Sequence, residues 1–166
     1  MNTLKASLFF IVLFALARLI PHPPNFTPLI AAAIFLPFFT KDLRVIVSLP
    51  IVVMFVADFF IGFHGLMLWT YGAFVLISIS GSKLFNGKLN RLIVLSLSSP
   101  TIFFFVTNFG VWLGSQAYAS SFNGLLSCYI AGLPFYANSI AACVLFSLSF
   151  FIAKELIKNG AVRLTK

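Results

Sequence analysis

Apolar runs separated by short polar stretches divide the chain into six segments. These runs cover about residues 4–20, 24–39, 43–61, 66–81, 91–114 and 136–158. A membrane-spanning helix needs about 20 apolar residues, with about 17 as the lower limit, so the second and fourth runs are short. The pattern predicts an all-α polytopic membrane protein, a six-helix bundle whose single transmembrane domain covers residues 1–166.

The composition supports lipid as the solvent of this chain. Hydrophobic residues make up 61% of the sequence and charged residues only 8%. A soluble domain carries about 25% charged residues and needs them to cover its surface. The net charge of +8 is confined to the edges of the apolar runs, and we therefore expect the lipid bilayer, and no nucleic acid, as a partner.

The basic residues occupy alternate connections. Lys5 precedes the first run, and the other basic connections and the tail contain Lys41, Arg44, Lys83, Lys88, Arg91, Lys154, Lys158, Arg163 and Lys166. The remaining three connections contain no lysine or arginine. Because cytoplasmic loops are enriched in basic residues, six crossings with both termini in the cytoplasm put every basic connection inside. If the short second run did not cross the membrane, Lys41 and Arg44 would lie on the opposite side from Lys83, Lys88 and Arg91.

The N-terminus allows a second interpretation. Lys5, a short apolar core and the "ALA" at residues 15–17 also fit a secretory signal with a cleavage site. Cleavage would leave five helices with the same sidedness.

Residues 115–135, "SQAYASSFNGLLSCYIAGLPF", interrupt the pattern. Their apolar part, about 122–133, is too short to span a bilayer, and Gly124, Gly132 and Pro134 punctuate it. Irregular backbone at membrane depth is tolerated where it lines a cavity. We therefore predict an outer re-entrant or interfacial lid here, with a plain surface loop as the alternative.

Neutral polar and aromatic residues collect at the outer side of this topology. The candidate ligand-binding residues are Arg18, His22, Asn25, Asp58, His64, Asn108, Trp112 and Gln116. The last three follow one another at intervals of four and therefore share a helix face. Topology explains the lysines of the inner side, and an interfacial aromatic belt explains some of the outer aromatic residues, but neither explains the amides. We predict a ligand pocket open to the outside.

Two charges lie at the same depth within apolar helices. Asp58 is about one turn below the outer boundary of the third helix, and Arg18 is near the outer end of the first. An unpaired carboxylate costs about 3 kcal/mol at the bilayer centre and less near the interface. We expect the two to pair, the alternative being that each reaches the headgroups separately.

Catalytic and metal-binding signals are weak. His22, His64, Asp58 and Cys128 have side chains that suit zinc, but no two of them share a short ligand spacing. No nucleophile motif or P-loop accompanies them. We predict that the chain is not an enzyme and holds no metal or cofactor. Cys128 and Cys143 do not form a CxxC motif. The sequence is compatible both with two free thiols and with a disulfide between them.

Four stretches resemble a known family in their order along the chain. They are "RLIPHPPNFTPLIAAAIF", "DFFIGFHGLMLWTYGAF", "TNFGVWLGS" and "GLLSCYIAGLPFYANS". Together they are similar to small bacterial membrane proteins described as transport proteins of unknown substrate, a family related to the S components of energy-coupling factor (ECF) transporters. The resemblance implies six helices in the bacterial inner membrane, a ligand captured from outside, and energy supplied by a separate scaffold membrane subunit and ATPases.

The predicted function is therefore that of a substrate-binding subunit for uptake of a small molecule, vitamin- or cofactor-like. The competing hypothesis is a structural or assembly subunit whose outer polar residues contact a protein partner. S components often carry small residues four apart on the first helix for docking the scaffold, but here Ala15 is followed by Leu19 and Ala6 by Phe10. Residues 31–33, three alanines, offer a smooth surface on the second helix instead.

Overall fold

The described part of the chain is entirely helical. The computed structural model describes residues 3–158, and the side chains of residues 7–158. The helices are α1 (Thr3–Leu19), α2 (Leu29–Phe35), α3 (Leu43–Ile61), α4 (Met67–Leu84), α5 (Leu89–Gly114) and α6 (Phe122–Lys158), and a 3-10 turn, Leu36–Phe38, extends α2. The prediction of an all-α protein is confirmed. Three helices, α3, α5 and α6, are long and apolar enough to cross a membrane.

Contacts at the helix ends show that the segments alternate in direction. The ammonium of Lys154, near the end of α6, donates to the carbonyl of Gly87 at 2.9 Å and lies 5.2 Å from the ring centre of Phe38. The end of α2, the α4–α5 connection and the end of α6 therefore meet at one end of the bundle, which we call the basic end. At the opposite end, the polar end, α1, α3 and α5 finish and α4 and α6 begin.

The second helix forms the centre of the bundle. All seven residues of α2 are buried, and the helix packs against α3, α4, α5 and α6. Gly81 permits the close approach of α4, because a Cβ atom at this position would lie 3.0 Å from the Cα atom of Ile34. The alanines at positions 31–33 are at most 3% exposed, so the prediction that they offer a smooth surface to a partner is wrong.

The second helix is also shorter than predicted. Residues 24–28 of the predicted 24–39 helix belong to the connection from α1, and α2 begins after Pro28. Pro23, Pro24 and Pro28 lack backbone N–H groups, and each disfavours helical backbone in the residue before it. These prolines therefore delay the helix and leave an irregular segment, residues 20–28, beside the helix ends.

The sixth helix is longer than predicted. It begins at Phe122 rather than near residue 136 and continues through Pro134, so its 37 residues are about 55 Å long. The prediction of a re-entrant segment or lid is therefore wrong for residues 122–135, and only 115–121 connect α5 to α6. Gly124 and Gly132 are buried packing positions. A Cβ atom at Gly124 would collide with Ala119, and one at Gly132 would collide with Asn108.

Candidate functional site

A buried ion pair joins α1 to α3 at the polar end. Arg18 Nη2 donates to Asp58 Oδ1 at 2.7 Å, and Tyr71 of α4 donates its hydroxyl proton to Asp58 Oδ2 at 2.8 Å. The Asp58 side chain is 0% exposed and that of Arg18 is 21% exposed. The prediction that Arg18 and Asp58 pair is confirmed. A carboxylate removed from water needs these compensating partners, and Tyr71 is the partner that the sequence did not reveal.

His64 lies at the edge of this pair. Its Nε2 atom is 3.9 Å from Asp58 Oδ2, and its side chain is 38% exposed. Its Nδ1 atom accepts a hydrogen bond from the backbone N–H of Leu66 at 3.2 Å. His64 therefore shapes the turn between α3 and α4 while staying close to the buried carboxylate.

A first cavity, cavity 1, of about 160 Å³, opens beside the ion pair. Its polar lining consists of Arg18, His22, Asn25, Thr27 and Ser139, and its apolar lining of Leu29, Ile30, Ile61, Phe74 and Phe103. Each of the six helices contributes at least one of these residues. Cavity 1 thus lies where all segments of the bundle converge at the polar end.

A second cavity, cavity 2, of about 300 Å³, adjoins the first. Its polar lining consists of Asn25, Thr70, Thr107, Asn108, Tyr118 and Cys128, and its apolar lining of Leu66, Phe103, Val111, Ala131, Gly132 and Phe135. Asn25 and Phe103 line both cavities. The two spaces therefore meet at this pair, with hydrogen-bonding groups on both sides of the meeting point.

The connection from α1 to α2 places Asn25 at this meeting point. Asn25 has a φ angle of 62°, a left-handed conformation that asparagine tolerates better than most residues. Asn138 of α6 donates to the carbonyl of Pro24 at 3.0 Å, and the rings of Phe26 and Phe146 are 6.1 Å apart. Neighbours on α6 thus hold the backbone on both sides of Asn25, which fixes its position between the cavities.

The amide of Asn108 is held against α6. Its Nδ2 atom donates to the carbonyl of Phe104 at 2.8 Å, and its backbone carbonyl accepts from the Cys128 thiol at 3.4 Å. A Cβ atom at Gly132 would collide with Asn108 Oδ1. The absence of a side chain at Gly132 therefore permits this amide to lie in the wall of cavity 2.

The structure separates the eight predicted site residues into three groups. Arg18, His22, Asn25 and Asn108 line the cavities, and Asp58 lies behind Arg18. His64, Trp112 and Gln116 are not among the residues lining either cavity.

Trp112 and Gln116 also do not share a helix face, as the spacing predicted. The indole N–H of Trp112 donates to the carbonyl of Ala119 at 3.0 Å, which ties α5 to the following connection. Gln116 lies beyond the end of α5 at Gly114, so the helical spacing no longer applies to it.

Several lining residues carried no distinct sequence signal. Thr70, Thr107, Ser139, Phe74 and Phe103 lie within apolar helices, where hydroxyl and phenyl side chains are common packing residues. The hydroxyls of Thr70, Thr107 and Ser139 donate to carbonyls one turn earlier on their own helices. The one available signal was that Thr107 is the sequence neighbour of Asn108, a predicted site residue, and both line cavity 2.

The thiols are separated from the ion pair. Among the described residues, Cys128 and Cys143 are both free and buried, the first in the wall of cavity 2 and the second deeper in the bundle. Within residues 3–158, no three His, Cys, Asp or Glu side chains come together in a group that would hold a metal ion.

Comparison with known proteins identifies a family without a known role. The model of a family of unknown function, DUF6580, matches residues 2–164. No curated protein and no solved structure matches the chain.

Proposed function

We propose that this chain, which belongs to the DUF6580 family, is a membrane subunit that binds a small molecule for uptake. In this proposal the basic end faces the cytoplasm of a bacterium and the polar end faces outward, because basic residues are retained on the cytoplasmic side. The ligand enters at the polar end. A scaffold membrane subunit and ATPases supply energy, as in the S components that the motifs resemble.

The observation that supports binding is the pair of adjoining cavities at the polar end. Small-molecule sites are concave, with mostly apolar walls and a few polar groups that orient the ligand. The two cavities combine apolar and hydrogen-bonding side chains in their walls, and cavity 1 receives residues from every helix. A solid bundle with its polar residues on a flat surface would have supported an assembly role instead.

The lining also restricts the chemistry of the ligand. The one arginine of the lining, Arg18, is already paired with Asp58, so the site offers little net charge to an anion. Phe74 and Phe103 pack edge to face, with ring centres 5.8 Å apart, and form an apolar part of the wall, and Thr70 and Thr107 supply hydroxyls. A neutral, vitamin- or cofactor-like molecule with several hydrogen-bonding groups fits this lining.

Native mass spectrometry of the detergent-purified protein tests the proposal. We expect a co-purified small molecule on the wild-type protein and about thirtyfold weaker binding of it to the Thr70→Val/Thr107→Val variant, because two hydrogen bonds of about 1 kcal/mol each are lost. Thr101→Val is the control: Thr101 also donates to a carbonyl one turn earlier on α5, and it lines neither cavity, although its hydroxyl also bonds to that of Tyr136 at 2.8 Å. Wild-type protein without any bound molecule, or equal occupancy in the two variants, would contradict the proposal.

The competing assembly role has one observation in its favour. Gln116 and His64 are exposed at the polar end and line neither cavity, so they are available to a protein. Under this alternative, purification from mild detergent yields a stoichiometric protein partner without a small molecule, and Gln116→Ala with His64→Ala releases that partner.

A further inference from the structure

Polar side chains continue inward from cavity 1. On three helices, a residue that lines the cavity is followed, four positions towards the basic end, by a buried hydroxyl or thiol. The pairs are Phe74 and Ser78 on α4, Phe103 and Ser99 on α5, and Ser139 and Cys143 on α6. Residues four apart lie on the same helix face. The three inner residues, each 0% exposed, therefore form a layer directly beneath cavity 1.

The layer extends one further turn. The thiol of Cys143 lies 3.9 Å from the hydroxyl of Ser147, and Ser96, three positions before Ser99, lies on the same face of α5. Ser96 and Ser147 are at most 2% exposed. We call these five residues, Ser78, Ser96, Ser99, Cys143 and Ser147, the hydroxyl layer.

Two members of the layer are unsatisfied. The hydroxyls of Ser78 and Ser99 are buried and have no hydrogen-bond partner within the described part of the chain. A serine in a helix usually donates to a carbonyl one turn earlier, as Ser96 does to Leu92 at 2.8 Å. A buried hydroxyl without a partner is unfavourable, because it has lost its hydrogen bonds to water. Packing alone would be served equally well by alanine, so the two hydroxyls make this layer a candidate site for a hydrogen-bonding group.

The neighbour of these three helices is wholly apolar. Residues Leu29–Phe35 of α2 contain only Leu, Ile, Ala and Phe, and α2 packs against α4, α5 and α6. Within the described part of the chain, α2 therefore offers no side chain that could bond to the hydroxyls of Ser78 and Ser99. Cavity 1 is the adjacent space from which an outside partner could reach them.

We propose that the hydroxyl layer is a second, inner binding site, which accepts a small neutral hydroxyl-bearing group that enters through cavity 1. This inference rests on the proposed function and deepens it, because it places an inner position on the route of the ligand. It also restricts the ligand to molecules whose leading end is neutral and hydroxyl-bearing, since no charged residue belongs to the layer.

The two cysteines of the chain provide the test. Cys128→Ala leaves Cys143 as the only thiol, and 2-hydroxyethyl methanethiosulfonate is a small, neutral, hydroxyl-bearing probe of it. In proteoliposomes, the rate of modification is measured by mass spectrometry of the intact protein. The control carries Val53→Cys with Cys128→Ala and Cys143→Ser, because Val53 is also 0% exposed and belongs to the same buried cluster as Cys143, but lies on α3, which contributes no residue to the hydroxyl layer.

We expect the probe to modify Cys143 at least about tenfold faster than the thiol introduced by Val53→Cys. Adding Ser78→Ala and Ser99→Ala should slow the modification of Cys143 about tenfold, the effect of losing about 1.4 kcal/mol of hydrogen bonding. The same double substitution should leave the unfolding midpoint unchanged or higher, since it removes two unsatisfied groups. This stability measurement separates a lost site from a damaged fold.

Equal rates of modification at Cys143 and at the control thiol would overturn the inner site. An unchanged rate at Cys143 after Ser78→Ala and Ser99→Ala would overturn it as well. Native mass spectrometry of the same preparations separates this failure from that of the proposed function. A retained co-purified molecule with an unreactive Cys143 refutes only the inner site. A reactive Cys143 on a protein that never carries a small molecule refutes the uptake function and retains the hydroxyl layer as a site for small hydroxylated molecules.

Discussion

The polar end and the basic end of this bundle are held together by different chemistry. At the polar end, directional polar contacts join the helices: Arg18 and Tyr71 donate to Asp58, and Asn138 donates to the carbonyl of Pro24. At the basic end, one such contact, from Lys154 to the carbonyl of Gly87, accompanies a cluster of rings. The ring centre of Phe35 lies 5.4–5.8 Å from those of four other phenylalanines, Phe38, Phe39, Phe85 and Phe150.

This difference shows which end has the more strictly defined geometry. Lipid tails are as apolar as a phenylalanine ring, so ring packing in a bilayer gains contacts without a hydrophobic transfer term. A buried carboxylate has no such substitute in lipid and requires its specific partners. The end that carries both cavities is therefore the end whose side-chain positions are fixed most strongly, as a binding site requires.

The largest effect is expected from breaking the ion pair. Asp58→Asn keeps the shape of the side chain but leaves the partly buried guanidinium of Arg18 without its anion. Removal of one partner of a buried pair costs about 3–5 kcal/mol, and we expect about 3 kcal/mol because Arg18 retains some exposure. The free energy of unfolding in mixed detergent micelles measures the loss.

A second substitution sharpens this result. Adding Arg18→Gln to Asp58→Asn removes both charges, and we expect the double variant to be more stable than Asp58→Asn alone. A double variant whose loss equals the sum of the two single losses would show that the two charges are not energetically coupled.

At the basic end, Phe35→Ala should cost less than the break in the ion pair. A buried Phe→Ala substitution in a soluble core costs about 3–5 kcal/mol, but part of that is transfer from water, which is missing in lipid. We expect about 2 kcal/mol in the same unfolding assay. Phe59→Ala is the control, since Phe59 is 66% exposed. If Phe35→Ala destabilised the protein more than Asp58→Asn, the comparison between the two ends would be reversed.

The smallest effects are expected from two glycines of α4. Gly81→Ala places a methyl group 3.0 Å from the Cα atom of Ile34, and we expect it to cost about 1 kcal/mol by overpacking. Gly72→Ala meets no heavy atom within 4 Å and should stabilise α4 by about 0.5–1 kcal/mol through helix propensity. The two substitutions should thus shift the unfolding midpoint in opposite directions, and shifts of the same sign would show that α2 and α4 are not closely packed at Gly81.

The sequence predicted the helices where charge and length restricted the alternatives. The bounds of α3 are those predicted from its apolar run, and the pairing of Arg18 with Asp58 followed from the small number of ways to compensate a charge in lipid. The burial of α2 was not predictable, because an apolar residue reads the same whether it faces lipid or a neighbouring helix. The continuity of α6 was missed because glycine and proline, here Gly124, Gly132 and Pro134, are also common in turns.

The candidate site was only partly predictable for a related reason. Asn25 and Asn108 are amides in apolar surroundings and were therefore recognisable, and the prolines indicated an irregular backbone around Asn25. Thr70 and Ser139 could not be identified as lining residues from the sequence, because a hydroxyl on a helix commonly bonds to the backbone of its own helix. The role of Gly132 depends on the position of the Asn108 side chain, which only the three-dimensional arrangement reveals.

The central position of α2 has a consequence for biosynthesis. With its 3-10 turn, the segment Leu29–Phe38 is about 16 Å long, roughly half the thickness of the hydrocarbon layer, so it cannot persist there as an independent transmembrane helix. Its enclosing neighbours α3, α4, α5 and α6 all emerge later from the ribosome. If the bundle is inserted into a bilayer, the second segment can therefore reach its enclosed place only after the last of these helices has been inserted.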